Sequence, residues 1–165
     1  MAAPVGRFNF GNPSTRSTVE WIHINGQSVS KKRIEELLNS VSHFGVEGLR
    51  KVRGTFSGAI VNWQARRLYV FRDPIGKKPL YTAEAKESLL LGTSVLELVA
   101  AGARDTSLDP GCISELWQRG HARANHCFIR GVRPVLPGQV LIFDLEGKYI
   151  GQENCAPSVE VESPS

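Results

Sequence analysis

The stretch Arg72-Asp73-Pro74-Ile75-Gly76-Lys77-Lys78-Pro79-Leu80-Tyr81 constrains this chain more than any other. Leu68-Tyr69-Val70-Phe71, just before it, is a run of four apolar residues rich in β-formers and predicts a buried strand. Pro79 to Ala83 restarts an extended path after it. Between the two, Pro74 fixes φ and Gly76 admits a positive φ, so the chain is expected to make a tight turn of specified shape. Arg72 and Asp73 leave the strand side by side. Two readings are open: an ion pair that braces the loop against an opposite sheet, or a contact offered to a ligand or partner.

Around this loop the pattern is mixed. Phe8 and Phe10 precede a turn signal and suggest a short first strand. Val19 to Ile24 alternates as a second strand, with Asn25-Gly26 closing it in a tight turn. Ser30 can cap a helix whose apolar face is Ile34, Leu37, Leu38 and Val41, at the spacing of an amphipathic helix, with Gly45 as its stop. A shorter helical piece runs from Val46 to Val52. Phe56 to Trp63 is apolar at nearly every position, as in a strand covered on both faces, and pairs with Leu68 to Phe71 as a hairpin. Ser88 to Thr93 predicts another strand, and Ser94 the cap of a short helix bearing Val95, Leu96, Leu98 and Val99. Asp109-Pro110 opens a helix whose face is Ile113, Leu116 and Trp117 and whose stop is Gly120. Arg130 to Gly138 is a proline-punctuated approach to a last strand, Val140 to Phe143, with Tyr149-Ile150 a weak extension. The fold class is α+β, with helices covering packed sheets. One domain is expected over residues 1–150 and a disordered polar tail over 151–165.

At 165 residues the chain is long enough for a core that needs no disulfides. No window approaches the length of a membrane span, and the first residues do not read as a secretory signal. Three cysteines without a CxxC pair suit reduced thiols, so the expected location is the cytoplasm and no membrane contact is predicted. Charge is uneven: residues 1–86 carry 14 Lys and Arg against 6 Asp and Glu, and residues 87–165 carry 6 against 10. The basic half does not interleave its charges with aromatics, so a dipolar surface is favoured and no nucleic acid is expected as partner. His121, His126 and Cys127 match no common zinc framework, and no metal is expected. His126 and Cys127 are adjacent on an extended chain and would point apart, which argues against a nucleophile pair. Cys112 reads as a small core residue.

Four segments in order resemble the N-terminal, class II glutamine amidotransferase-like domain of asparagine synthetase-like proteins. Gly54-Thr55-Phe56-Ser57 is similar to the family's G-x-F-A strand and Arg72 to Tyr81 to its R-D-x-x-G-x-x-P-L-Y loop. Leu91 to Leu98 is similar to its F-A-S-E-x-K-A-L segment, and Phe128 to Gly138 to its F-x-G-I-x-x-L-P-P-G run. The resemblance implies an Ntn-type αββα sandwich, two stacked antiparallel sheets between helix layers, in shortened form. It makes Gly54, Phe56, Pro79, Leu80, Tyr81, Gly131, Pro137 and Gly138 residues of the family frame.

In active members an N-terminal Cys thiolate attacks glutamine's amide, using its own α-amino group as base. R-H-R-G-P and N-G-E-x-Y-N segments and an Asp complete that site. Here residue 2 is Ala2. Asn25-Gly26-Gln27 lacks the acidic, Tyr and Asn positions that should follow, and Phe44-Gly45-Val46-Glu47 puts Phe44 where an Arg belongs. No catalytic residue is therefore assigned. The layout is closest to the degenerate N-domains of lasso-peptide cyclases, with those of β-lactam synthetases second. In such enzymes a following ATP-pyrophosphatase domain forms the amide; no phosphate loop is found here and no cofactor is expected.

The resemblance implies a non-glutaminase domain that supports a separate ATP-pyrophosphatase-type synthetase subunit or presents its peptide substrate. Homo-oligomerisation is left open. The candidate contact residues are Arg72, Asp73, Gly76, Lys77 and Lys78. Two rivals remain: a fragment or subunit of an active asparagine synthetase-like amide ligase, and a binding module for a peptide or small amide in the old glutamine pocket.

Overall fold

The computed structural model describes residues 6–9, 19–25, 31–86 and 88–156. Nine strands and four helices are placed within them: β1 (Gly6–Asn9), β2 (Val19–Asn25), α1 (Lys31–Phe44), α2 (Val46–Arg50), β3 (Ser57–Asn62), β4 (Arg67–Arg72), β5 (Tyr81–Glu84), β6 (Ser88–Gly92), α3 (Val95–Ala100), α4 (Pro110–Arg119), β7 (Val132–Pro134), β8 (Gln139–Asp144) and β9 (Tyr149–Asn154). Phe10, the Asn25-Gly26 turn beyond Asn25, and the Ser30 cap fall outside the described residues.

The strands form two antiparallel sheets, one of four in the order β1-β6-β5-β7 and one of five in the order β2-β3-β4-β8-β9. Strand periodicity sorts the apolar side chains onto two faces. Ala59 and Val61 of β3, Leu68 and Val70 of β4 and Phe143 of β8 meet Phe8, Leu89 and Leu91 of the smaller sheet in a central core. The alternate residues Ile60, Tyr69, Phe71 and Val140 turn outward under Leu37 and Val41 of α1 and Leu49 of α2. Ala83 and Leu90 lie on the opposite outer face, against Leu98 of α3. The layers therefore run helix, sheet, sheet, helix, and the expected α+β sandwich is the fold. Because β3 and β4 contribute to both cores, their continuous apolar runs follow directly from being covered on both sides.

The elements were predicted near their observed bounds, with informative exceptions. α2 packs so closely on α1 that a Cβ at Gly48 would stand 2.3 Å from the Ser40 carbonyl oxygen. Asp109 caps α4 through Gly111 and Cys112 N–H, and Gly120 ends it in a left-handed conformation. The Ser94 side chain, by contrast, makes no capping bond at α3 among the described residues. β7 was not predicted; it is three residues long and ends in Pro134, at the edge of its sheet where the missing N–H is tolerated.

Residues 151–156 correct the boundary placed at 150. Gly151 to Asn154 continue β9, in register with Gln139 to Ile142 of β8, and Cys155 is buried. An edge strand is held by its ladder of backbone bonds and needs no apolar pattern, which is why polar composition misled there.

Candidate functional site

The loop between β4 and β5 is built from the inside. Asp73 is fully buried. Its Oδ1 accepts the N–H groups of Ile75 and Gly76, each at 2.9 Å, and its Oδ2 accepts Phe56 N–H at 3.2 Å. Its carbonyl accepts Gly76 N–H and Gly138 N–H, both at 3.0 Å. Aspartate suits this post because a short carboxylate can close a turn two and three residues ahead of itself.

Arg72 donates Nε–H to Lys78 O at 2.8 Å, one terminal N–H to Val135 O at 2.9 Å and the other to Gly76 O at 2.5 Å. The two residues do not pair with each other as the ion-pair reading required; each braces the loop separately, through backbone groups. Arg72 reaches from the larger sheet to the segment that follows β7 of the smaller one, so it ties the layers together. Three of the guanidinium's five donors are committed in this way, which a lysine could not reproduce.

Gly76 has φ +63°, and a Cβ there would meet Pro137 Cγ at 2.6 Å. The remaining frame residues cluster on the same scaffold. Leu80 is fully buried and its carbonyl accepts Val135 N–H at 2.8 Å. Phe56 packs edge-on against Phe71. Gly131 lies against the Asp105 carbonyl, Gly138 has φ +72° and Gly54 φ +110°. Tyr81 is half-buried against the outer core beneath α3, and Pro79 is exposed. Of the five candidate contact residues, Arg72 and Asp73 are thus taken up by the loop and Gly76 by its turn. Lys77 is exposed and Lys78 half-buried beside a strongly exposed Ile75, and these form the tip that another molecule could reach.

Where β2 and β3 end beside each other, Asn25 stands opposite Ser57. Ser57 shares the inward face of Ala59 and Val61; it is fully buried and its hydroxyl has no hydrogen-bond partner among the described residues. The unsatisfied hydroxyl is conspicuous because buried polar groups are almost always paired. It takes the place of the alanine in the G-x-F-A pattern.

The other candidates separate. His126 Nδ1 lies 2.9 Å from Glu115 of α4, and Arg123 donates Nε–H to the same carboxylate at 2.6 Å. Burial raises the Glu115 carboxyl, but the Arg123 hydrogen bonds and charge, with His126, outweigh it and hold the group below its ordinary value. Cys127 turns instead toward the core beneath α3. Burial raises the thiol of Cys112. Among the described residues, no group of three or more His, Cys, Asp and Glu is placed to hold a metal ion.

Sequence reasoning missed an exposed apolar face on α4. Leu116 and Trp117 were expected to face the core, yet Trp117 is 86% exposed and Leu116 42%. The fully buried side chain of α4 is Cys112. Leu108 and Phe128 are also exposed and flank the start of the helix, where Asp109 N–H bonds the Phe128 carbonyl. Periodicity marks an apolar face but does not say what covers it.

The helix layers, the two stacked antiparallel sheets and the interlocked loop together define a two-sheet α+β sandwich. The model of the glutamine amidotransferase domain family matches residues 19–152, and the chain belongs to that family. It is 32% identical over 119 residues to the amidase chyE of Penicillium rubens, a match covering 70% of this chain and 17% of that protein. It is 29% identical over 107 residues to a putative glutamine-hydrolysing asparagine synthetase of Mycobacterium bovis, covering 63% and 16%. Glutamine phosphoribosylpyrophosphate amidotransferase from B. subtilis superposes with a TM-score of 0.49 at 18% identity, over 80% of this chain and 24% of that one. The chain thus spans less than a fifth of the length of these curated relatives.

Proposed function

We propose that this domain does not hydrolyse glutamine and serves as the docking partner of an ATP-dependent, amide-forming synthetase of the asparagine synthetase type. The observation that carries the reading is the outward apolar stripe of α4, above all Trp117. Tryptophan is enriched among the few residues that dominate protein interfaces, where truncating one typically costs about 2 kcal/mol or more. Ile113, Leu116 and Trp117 recur at the spacing that presents a single helix face to a partner. The relatives named as asparagine synthetases carry the matched segment in only 16% to 19% of their length, so a large further portion accompanies this domain in them. A portion of that kind is the partner that covers the α4 face. The same length relation supports the rival in which this chain is part of an active amide ligase, with the α4 face turned to the same partner within one polypeptide.

The non-glutaminase half of the reading draws on internal segments. Asn25-Gly26-Gln27 lacks the rest of the oxyanion pattern, and Phe44 stands in the clamp position implied by the resemblance. The frame has kept its turns while these positions have changed.

Two measurements test the reading. Affinity capture from the source cell is expected to recover an ATP-pyrophosphatase-type synthetase, and Trp117→Asp to abolish that recovery while leaving the melting temperature nearly unchanged. Recovery that survives this substitution would refute the docking face. Glutamate release from glutamine is expected at background; turnover above it would overturn the non-glutaminase assignment.

A further inference from the structure

The two sheets are unequal. Among the described residues, five strands lie against four, β1 and β2 adjoin at one side, and at the other β7 ends the smaller sheet while β9 extends the larger one by a further strand. A cleft of about 810 Å³ opens there, between β5 and β7 on one side and β8 and β9 on the other. Its walls follow from register. Arg133 is opposite Thr82, which is opposite Leu91 of the central core, so Arg133 shares the inward face of its sheet. Across the gap, Leu141 is opposite Gln152 and Phe143 opposite Tyr149, which stack edge to face at 5.7 Å. The larger sheet therefore supplies an apolar and aromatic wall, with Gln139 donating to Gln152 at 2.6 Å beside it.

The charges lining this cleft do not balance. Its carboxylates already have partners: Glu84 pairs with Arg104 at 3.7 Å, Glu146 pairs with Arg66, and Asp105 accepts the N–H and hydroxyl of Ser107 and lies in the field of Arg130, which also lines the cleft. Arg133 is exposed and, among the described residues, has neither an ion pair nor a side-chain hydrogen bond. An unmatched guanidinium above an apolar wall is the arrangement that selects a carboxylate carried on an apolar body.

We infer that this cleft binds apolar carboxylates, meaning acylated amino acids or peptide C-termini, with Arg133 as counter-ion and the Leu141, Phe143 and Tyr149 wall taking the side chain. The site shares no residue with the α4 face and stands apart from the docking reading.

Calorimetric titration and NMR shift mapping on the full chain test it. The probes are N-acetyl-L-phenylalanine and a tripeptide ending in phenylalanine, each beside its C-terminal amide, with inorganic phosphate as the bare anion. The acid of at least one pair is expected to saturate, with shifts at Gln139, Leu141 and Gln152, and its amide to bind about tenfold or more weakly. Which acid binds separates a small acyl amino acid from a peptide terminus. Arg133→Gln should reduce the acid to the affinity of its amide, and Tyr149→Ala should weaken acid and amide alike; both positions are exposed enough for the fold to survive. Equal binding of acid and amide, no saturation of either acid at millimolar concentration, phosphate binding as tightly as the acid, undiminished acid binding by Arg133→Gln, or shifts confined to α4 would each overturn the inference.

Discussion

Replacing Asp73 separates its three side-chain hydrogen bonds by their consequences. In Asp73→Ala all three acceptor contacts go. Gly76 N–H keeps the Asp73 carbonyl, at 3.0 Å, and Ile75 belongs to the exposed tip, where water can replace the lost bond. Phe56 N–H has no such recourse, because its bond to Oδ2 lies in the buried interior. A buried donor left unpaired costs about 1–3 kcal/mol, and the loosened turn adds about 1 kcal/mol, so Asp73→Ala should destabilise by about 3 kcal/mol. Asp73→Asn keeps an oxygen for Ile75 and Gly76 but turns an amide NH2 toward Phe56 N–H, donor against donor. Its cost should be about 1–2 kcal/mol. Urea unfolding would show the midpoint falling in that order at constant m-value. Amide exchange adds a local reading: Phe56 should exchange faster in both variants, Ile75 only in the alanine variant. If the alanine variant lost less than about 1 kcal/mol, or the asparagine variant lost as much as alanine, the carboxylate would not be holding the loop as described.

Three further outcomes follow from packing and burial. Gly76→Ala combines a positive φ with a Cβ 2.6 Å from Pro137 Cγ, whereas Gly102→Ala, at φ +97°, meets nothing within 4 Å; thermal melts should show the first costing about 1 kcal/mol or more beyond the second. Ser57→Ala removes a buried hydroxyl without a partner and should stabilise the protein by about 1 kcal/mol in urea unfolding. Burial raises the thiols of Cys112 and Cys155, so both should resist iodoacetamide at neutral pH in the folded protein. The stability linked to these neutral thiols is complete below the ordinary thiol value of about 8.5 and is lost as pH rises from there through the folded value, because the unfolded chain gives up its protons first. Unfolding titrations across that range check the sign.

The parts of the fold that could be read from sequence obey local rules. Pro74 and Gly76 announce their turn, Asp109-Pro110 its helix, and the runs of β3 and β4 their double burial. What escaped depends on distant partners. Arg72 and Asp73 were recognisable as a unit, yet the carbonyl that orients Arg72 belongs to Val135, 63 residues away. β9 is polar because an edge needs no apolar face, and β7 is short because its sheet ends there. The α4 stripe looked like core for the same reason any amphipathic helix does: spacing defines a face, and only the assembled layers decide whether something lies over it. The cleft beside Arg133 arises from one sheet being wider than the other, and no window of residues contains that information.

The grip of Arg72 on both layers limits how this molecule can respond to anything it binds. A planar, charged group anchored at three points adds a directional tie to the hydrocarbon that fills the space between the sheets. Sliding of one layer over the other would have to break the bond from Arg72 to the Val135 carbonyl. Adaptation to a new ligand or neighbour falls more easily to the rims, where side chains can be exchanged without disturbing that tie.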